Sequence, residues 1–258
     1  MSSNSTVDPR LLNLSYSGLL MAHTCPRKFQ LAKQASISGE DSQSSKITFA
    51  YGHVVGLGIQ NVLEGKTPER NLWEMFMAWD VDLWSDNPKQ KKSFAGAVYA
   101  VQKFQALLEA GYLTDYELVY YEGKPACELS FLIHLPNSYK YRGFVDAVLR
   151  NKHTGEVIVL ECKTSSATTV NPTTYKNSAQ AIGYSIVLDV LFPELSSYRV
   201  IYLVYSTKTL QYESLDFAKS YVQRARWIRE LIMDVEILSL YESHDLYHIH
   251  RTYKIHHA

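Results

Sequence analysis

The reading of this chain rests on Gly143-Phe144-Val145-Asp146, a turn at His153-Thr154-Gly155, and then Val157-Ile158-Val159-Leu160-Glu161-Cys162-Lys163. Two strands joined by that turn bring Asp146 and the Glu161/Lys163 pair to the same edge of a sheet. Glu161 and Lys163 are two residues apart, so they share one face of their strand. Two carboxylates and the intervening Cys162 backbone carbonyl make an all-oxygen site suited to Mg²⁺ or Mn²⁺. A lysine beside it can orient or help deprotonate an attacking water and stabilise developing negative charge, a combination that suits phosphodiester hydrolysis. Taken alone, an Asp followed by a distant Glu-x-Lys is a common surface ion pair. Here Glu161 leaves a Val-Ile-Val-Leu run that reads as a buried strand, and a charge in that position needs a partner or a metal.

Around this hairpin the pattern is strand-rich. Glu117–Tyr121, Ala126–Leu135, Tyr141–Arg150 and Val157–Glu161 read as a meander, broken by turns such as Pro136-Asn137-Ser138. Tyr175–Leu191 reads as a helix, Tyr198–Ser206 and Leu210–Leu215 as strands, and Ala218–Leu240 as a long helix. Upstream the period is helical. Residues 15–34 read as two short helices broken at Pro26, with Ser15 or Ser17 as N-cap. Residues 47–64, 70–84 and 93–111 read as three more, the first carrying Gly52, Gly56 and Gly58, where close approach of another backbone is one reason for glycine. The expected class is α/β (α+β), a mixed central sheet flanked by helices with an N-terminal helical portion. We expect a leader at 1–10, one domain at 11–240 (helical over 11–115, sheet and flanking helices over 116–240), and a Tyr/His-rich tail at 241–258.

Composition narrows the classes. The 258 residues are 46% hydrophobic and 20% charged, which excludes disorder, collagen and coiled coil. No apolar stretch approaches the roughly 20 residues of a membrane span, and the start lacks a basic flank and an apolar segment, so no secretory signal is expected. The 26 Lys+Arg against 26 Asp+Glu argue against binding nucleic acid by bulk positive charge and require any such contact to be local. Three scattered cysteines, Cys25, Cys127 and Cys162, offer neither a disulfide framework nor a metal knuckle, which fits a reducing cytoplasm. The last 18 residues hold three of the 19 tyrosines and five of the nine histidines. That end reads as a metal tract, an appended tag or a solvated tail.

In ordered combination these segments resemble the PD-(D/E)XK nuclease superfamily, and within it the RecB-like branch of CRISPR-associated and phage exonucleases. Leu14-Ser15-Tyr16-Ser17-Gly18-Leu19 with Cys25-Pro26-Arg27-Lys28-Phe29 resembles that branch's opening signature. Gly56-Leu57-Gly58-Ile59-Gln60 sits where the branch has G-x-x-x-H, and Glu128 precedes the first long strand. Gly143–Asp146 resembles the G-x-x-D motif, Glu161-Cys162-Lys163-Thr164 the (D/E)-x-K-T motif, and Gln180-Ala181-Ile182-Gly183-Tyr184 the Q-x-x-x-Y motif. The resemblance implies a restriction-endonuclease-like core in which Asp146 and Glu161 ligate Mg²⁺ or Mn²⁺ and Lys163 serves the water. It implies that Gln180 and Tyr184 contact DNA or support the site; the other reading is an amphipathic helix with Tyr184 in the core.

Two departures stand out. Gln60 replaces the metal-binding histidine and is a candidate ligand or water-mediated contact, with His53 seven residues earlier as either a neighbour on its face or a satisfied core or capping histidine. The iron–sulfur cluster of many relatives needs three C-terminal cysteines, and none follows Cys162, so no cluster is expected. For DNA contact the candidates include Arg27, Lys28 and Lys33, the break lysines Lys89, Lys91 and Lys92, then Lys163 and Lys176, and Arg224, Arg226 and Arg229.

The expectation is a metal-dependent DNA exonuclease acting on a duplex end or single strand in recombination, repair or phage DNA processing. The alternatives are a structure-specific endonuclease of the same fold and a non-catalytic DNA-binding or assembly protein. Expected associations are a strand-annealing protein and a homo-oligomer, without a membrane, in a bacterial or phage-infected cytoplasm. No G-x-x-x-x-G-K-[ST] loop is present, so unwinding would need a partner.

Overall fold

The computed structural model describes residues 9–34, 43–85, 87, 89–176, 178–193 and 198–248. Its helices are α1 (Tyr16–Thr24), α2 (Pro26–Gln34), α3 (Gln43–Leu63), α4 (Pro68–Ala78), α5 (Phe94–Glu109), α6 (Pro172–Lys176), α7 (Ala179–Leu191) and α8 (Tyr221–His244). Its strands are β1 (Asn13–Leu14), β2 (Tyr116–Leu118), β3 (Tyr120–Tyr121), β4 (Lys124–Pro125), β5 (Cys127–His134), β6 (Lys140–Asn151), β7 (Val157–Ser165), β8 (Tyr198–Ser206) and β9 (Gln211–Lys219). The described residues divide into two compact units, one drawn from 1–40, 130–143 and 225–258, the other from 41–129 and 144–224.

The larger unit carries the mixed sheet. β6 pairs antiparallel with β7, with Ala147 opposite Leu160 and Arg150 opposite Val157. β7 runs parallel to β8 from Ile158/Arg199 to Ser165/Ser206, and β8 pairs antiparallel with β9 along its whole length. A parallel pair cannot be closed by a tight turn, so the chain crosses over through α6 and α7 between β7 and β8. Side chains alternate along these strands. Ala147, Leu149, Ile158, Leu160, Ile201, Leu203 and Tyr205 face one way into a core with Tyr51, Val54 and Val55 of α3 and Ala97, Val101 and Phe104 of α5. The other face meets α7, where the Tyr198 hydroxyl donates to the Leu188 carbonyl at 2.9 Å and the Phe192 carbonyl at 2.7 Å. Helices therefore cover both faces of a mixed sheet, as the sequence predicts.

The glycines of α3 divide by environment. A Cβ on Gly58 would lie 2.4 Å from Val101 Cγ2 and 2.8 Å from Met75 Sδ, whereas one on Gly56 would meet nothing within 4 Å. Side chains of α4 and α5, rather than a backbone, make the close approach at Gly58.

In the smaller unit, β1 lies parallel to the start of β6, with Leu14 opposite Tyr141. Ser15 caps α1 by accepting from the Gly18 amide at 3.2 Å, and Cys25 and Pro26 separate α1 from α2. Trp227 of α8 meets Tyr141 edge-on at 5.3 Å, and His23 of α1 lies 2.8 Å from Asp234 of α8.

Several boundaries differ from the sequence reading, β7 running on to Ser165 among them. The helix expected over 175–191 is two helices, because Pro172 starts α6 in its own first turn and α7 begins after Ser178. The segment expected as helix from Ala218 is still strand, since β9 pairs with β8 as far as Lys219/Tyr198. Only then does a capping box start α8: the Ser220 hydroxyl accepts from the Gln223 amide while the Gln223 side chain accepts from the Ser220 amide. The helix expected over 70–84 ends at Ala78, followed by a 3-10 turn at Val81–Leu83. α8 runs on to His244, and the leader residues 1–8 and tail residues 249–258 lie outside the described residues. None of the described helices is long and apolar enough to cross a membrane.

Candidate active site

Asp146 and Glu161 meet where the β6–β7 ladder stops. The last registered pair is Ala147/Leu160, and one step further the Cys162 amide donates to Asp146 Oδ2 at 2.8 Å. A side-chain carboxylate here takes the place of a strand carbonyl, which lets the strands part without orphaning the amide. On the other side Glu161 is registered with Tyr202 of β8. Asp146, Glu161 and Tyr202 thus form one row across three adjacent strands. Lys163, on the same face of β7, places Nζ 2.5 Å from Glu161 Oε1.

The environment of this row is desolvated. Glu161 is 1% exposed, and its Oε2 is buried without a hydrogen-bond donor among the described residues. Burial, reinforced by the Asp146 charge, pushes the Glu161 carboxyl up to about 8 against the pull of Lys163. Burial likewise pushes Asp146 up to about 6, opposed by Lys163 and the Cys162 amide and assisted by Glu128. Burial works to lower Lys163, but Glu161 and Asp146 together outweigh it and leave the amine above its ordinary value. The Cys162 thiol is driven well up by burial and by both carboxylates. That disfavours a thiolate at Cys162 and leaves its backbone carbonyl as the hard donor a cation could use.

With both carboxyls ionised, two negative charges face one ammonium, and the Glu161 oxygen without a donor marks where a further positive charge is needed. Among the described residues no group of three or more His, Cys, Asp or Glu side chains gathers to hold a metal. A hard divalent cation that keeps several waters fits that donor set, since Mg²⁺ is commonly held by one or two carboxylates plus substrate oxygens.

The remaining candidates are placed as follows. Gln60 is buried on α3, and its Nε2 donates to Glu128 Oε1 at 3.0 Å. His53 is exposed on the same helix. On α7 the Gln180 amide donates to the Tyr184 hydroxyl at 2.5 Å, and Tyr184 is buried. Arg27 and Lys28 lie on α2 in the smaller unit, where the Arg27 guanidinium donates to Gln30 Oε1. Lys89, Lys91 and Lys92 precede α5, with Lys92 Nζ 2.8 Å from Thr48 Oγ1.

Two tyrosines at the site were missed by sequence reasoning. Tyr202 stands beside Glu161 by register, and Tyr175 of α6 packs on Tyr202 with ring centroids 5.0 Å apart. Nothing local marks either residue among 19 tyrosines; only the parallel β7–β8 register reveals Tyr202.

Among curated protein sequences, none matches this chain. Of solved structures, a protein from Eubacterium rectale described as a "Putative exonuclease" is 12% identical, with a TM-score of 0.52 over 95% of this chain and 88% of that one. A second, SSO0001, is 13% identical with a TM-score of 0.39 over 89% of this chain and 77% of that one. The first is a likeness of fold. The sequence pattern of one family matches residues 13–241, nearly the whole length and every strand of the sheet. This chain belongs to the PD-(D/E)XK nuclease superfamily.

Proposed function

We propose that this chain is a divalent-metal-dependent DNA exonuclease, serving recombination, repair or phage DNA processing. The observation that carries the reading is the buried Glu161 carboxylate, with one oxygen on Lys163 and the other without a donor, in a row with Asp146. On this reading Asp146, Glu161 and the Cys162 carbonyl hold Mg²⁺ or Mn²⁺. Such a cation supplies Lewis-acid polarisation of the phosphate and a lowered pKa for an attacking water. Lys163 keeps its proton under the pull of both carboxylates. Its ammonium orients the water and meets the negative charge that builds on the phosphate oxygens. Asp146 is fixed by the Cys162 amide, so one oxygen stays turned to the strand and the other is left for the cation. The exonuclease assignment is supported by the likeness of fold to the protein described as a "Putative exonuclease", and strand-annealing partners and ring-forming homo-oligomers suit it.

The test compares end-labelled linear DNA with closed circular DNA in Mg²⁺ or Mn²⁺, using wild type, Asp146→Ala and Lys163→Ala. Wild type should degrade linear DNA and spare circles, and both variants should be inactive while still melting cooperatively as folded proteins. Cleavage of circles would select an endonuclease. Failure to cut any nucleic acid with either metal would overturn the enzymatic reading.

A further inference from the structure

The short helix α6 is held in an unusual way. Pro172, Thr173, Thr174 and Lys176 are exposed, and only Tyr175 turns inward. Its ring packs on Tyr202 at 5.0 Å, and Tyr202 meets Phe217 of β9 at 6.4 Å. Beyond Phe217, the Lys219 ammonium lies 5.8 Å from that ring and donates to the Lys176 carbonyl at 2.7 Å. Lys219 is 1% exposed, and its amine is lowered by burial and by the neighbouring Lys176. Burying an ammonium to grip one carbonyl of a five-residue helix is costly. The core gains little from it, because α6 buries almost nothing else. What the clamp does achieve is to fix Tyr175 beside the row Asp146–Glu161–Tyr202.

Tyr175 also shares an electrostatic neighbourhood with Lys163. Burial raises the phenol, the Lys163 ammonium acts the other way, and Glu213 of β9 adds to the rise. A phenol within the influence of the ammonium that pairs with Glu161 adds a second kind of donor for phosphate oxygens to a site whose carboxylates can hold a cation. The ring contact with Tyr202 leaves the hydroxyl, rather than the ring, as the group with work still to assign.

We propose that the Tyr175 hydroxyl is a further substrate contact of this site, donating a hydrogen bond to a non-bridging oxygen of the bound phosphodiester on the side served by Lys163. Lys219 is then a positioning residue, acting through α6. This inference rests on the nuclease reading above and adds a residue that no motif marks.

The experiment uses the full chain with Mn²⁺ and a labelled DNA carrying either a normal phosphate or one phosphorothioate diastereomer at the cleaved position. Three proteins are compared: wild type, Tyr175→Phe and Tyr175→Ala. Tyr175→Phe keeps the ring on Tyr202 and loses only the hydroxyl. It should lower kcat on the normal substrate about 10-fold or more with KM changed less than about threefold, since a hydrogen bond to a charged oxygen is at stake. On the diastereomer whose sulfur replaces the accepting oxygen, the penalty should shrink to about twofold, because the bond is already weakened there. That ratio is internal to each protein, so a loss of folded fraction does not imitate it. Two results overturn the proposal and leave the nuclease reading standing: Tyr175→Phe within twofold of wild type, or an equal penalty on the normal substrate and both diastereomers. A wild type that cuts none of the substrates overturns the nuclease reading, and this inference with it.

Discussion

Replacing Glu161 by Gln should stabilise the metal-free protein at alkaline pH, although it removes a residue from the centre of the candidate site. Both carboxyls titrate above their unfolded values, Asp146 at about 6 against 3.8 and Glu161 at about 8 against 4.5. A raised folded pKa means that the native state holds a proton the unfolded chain releases. Native stability is then undiminished below about pH 4 and falls as pH rises through the folded values. For Asp146 the rise is about two units, which corresponds to about 3 kcal/mol in full above pH 6. Glu161 contributes a loss of at least that order, building from about pH 4.5 and complete by about pH 8, part of it shared with Asp146 through their mutual repulsion. The neutral amide of Glu161→Gln abolishes the share that belongs to position 161 and relieves Asp146, but gives Lys163 a neutral acceptor oxygen in place of the carboxylate it meets at 2.5 Å. A net gain of about 2 kcal/mol, or about 4–8 °C in Tm, is the expected size at pH 8.5 in EDTA. The assay is calorimetry of both proteins from pH 5 to 8.5, read as the difference in Tm. That difference should widen from about pH 4.5 and level off above about pH 8. Adding Mn²⁺ should raise wild type and leave the variant nearly unmoved, with the rise growing as protons cease to compete. A variant that melts below wild type at pH 8.5 in EDTA would refute the reasoning, because the carboxylate would then be satisfied by the protein itself.

Lys163→Ala removes a positive charge beside both carboxylates. Mn²⁺ binding, measured by calorimetric titration, should hold or tighten while hydrolysis falls by about 10²–10⁴-fold. Asp189→Ala strips the carboxylate from Arg224, which is 3% exposed and lies 5.0 Å from the Tyr198 ring. Urea melts should show a loss of about 2–3 kcal/mol from the uncompensated guanidinium, discounted because Asp189 itself reaches solvent. Gly58→Ala should cost about 1–3 kcal/mol by driving a methyl into Val101 and Met75. Gly56→Ala, with nothing near its added methyl, should be neutral or gain up to about 1 kcal/mol.

How far the sequence revealed this molecule depended on whether the signal was local. The hairpin of β6 and β7 was legible because apolar runs on either side of His153-Thr154-Gly155 carry their own strand signature. The end of β7 was not, since Lys163-Thr164-Ser165 is polar and remains strand only because β8 pairs with it through Ser165/Ser206. The start of α8 had a local signal, Ser220-x-x-Gln223, but the apolar pattern from Ala218 masked it. The row Asp146–Glu161–Tyr202 has one member that motif spacing could not supply, because Tyr202 enters through register with a strand some 40 residues later. The smaller unit gathers three segments far apart in the chain, and no shift in composition announces such an assembly.

The glutamine at position 60 changes what the third acidic residue near the site does. An amide facing a carboxylate must turn its NH₂ toward it, since oxygen against oxygen would repel, so the Nε2–Glu128 Oε1 bond at 3.0 Å fixes the rotamer as well as the contact. Glu128 itself sits at φ 47°, in the left-handed region, at a cost of about 1 kcal/mol for a residue other than glycine. Strain of that kind at the start of a strand re-aims a side chain. The result is a carboxylate whose charge is felt by both Asp146 and Glu161, raising each. Glu128→Gln should therefore lower the pH at which Mn²⁺ begins to stabilise the protein, because both carboxylates would ionise more readily. It should also weaken saturating affinity severalfold, because one negative charge is lost from the cation's surroundings. These two effects oppose each other at neutral pH and separate at the extremes, so titrations at pH 6 and pH 8.5 isolate them. Should affinity remain unchanged at both pH values, Glu128 would be a structural partner of Gln60 alone, and the cation would answer only to Asp146, Glu161 and the Cys162 carbonyl.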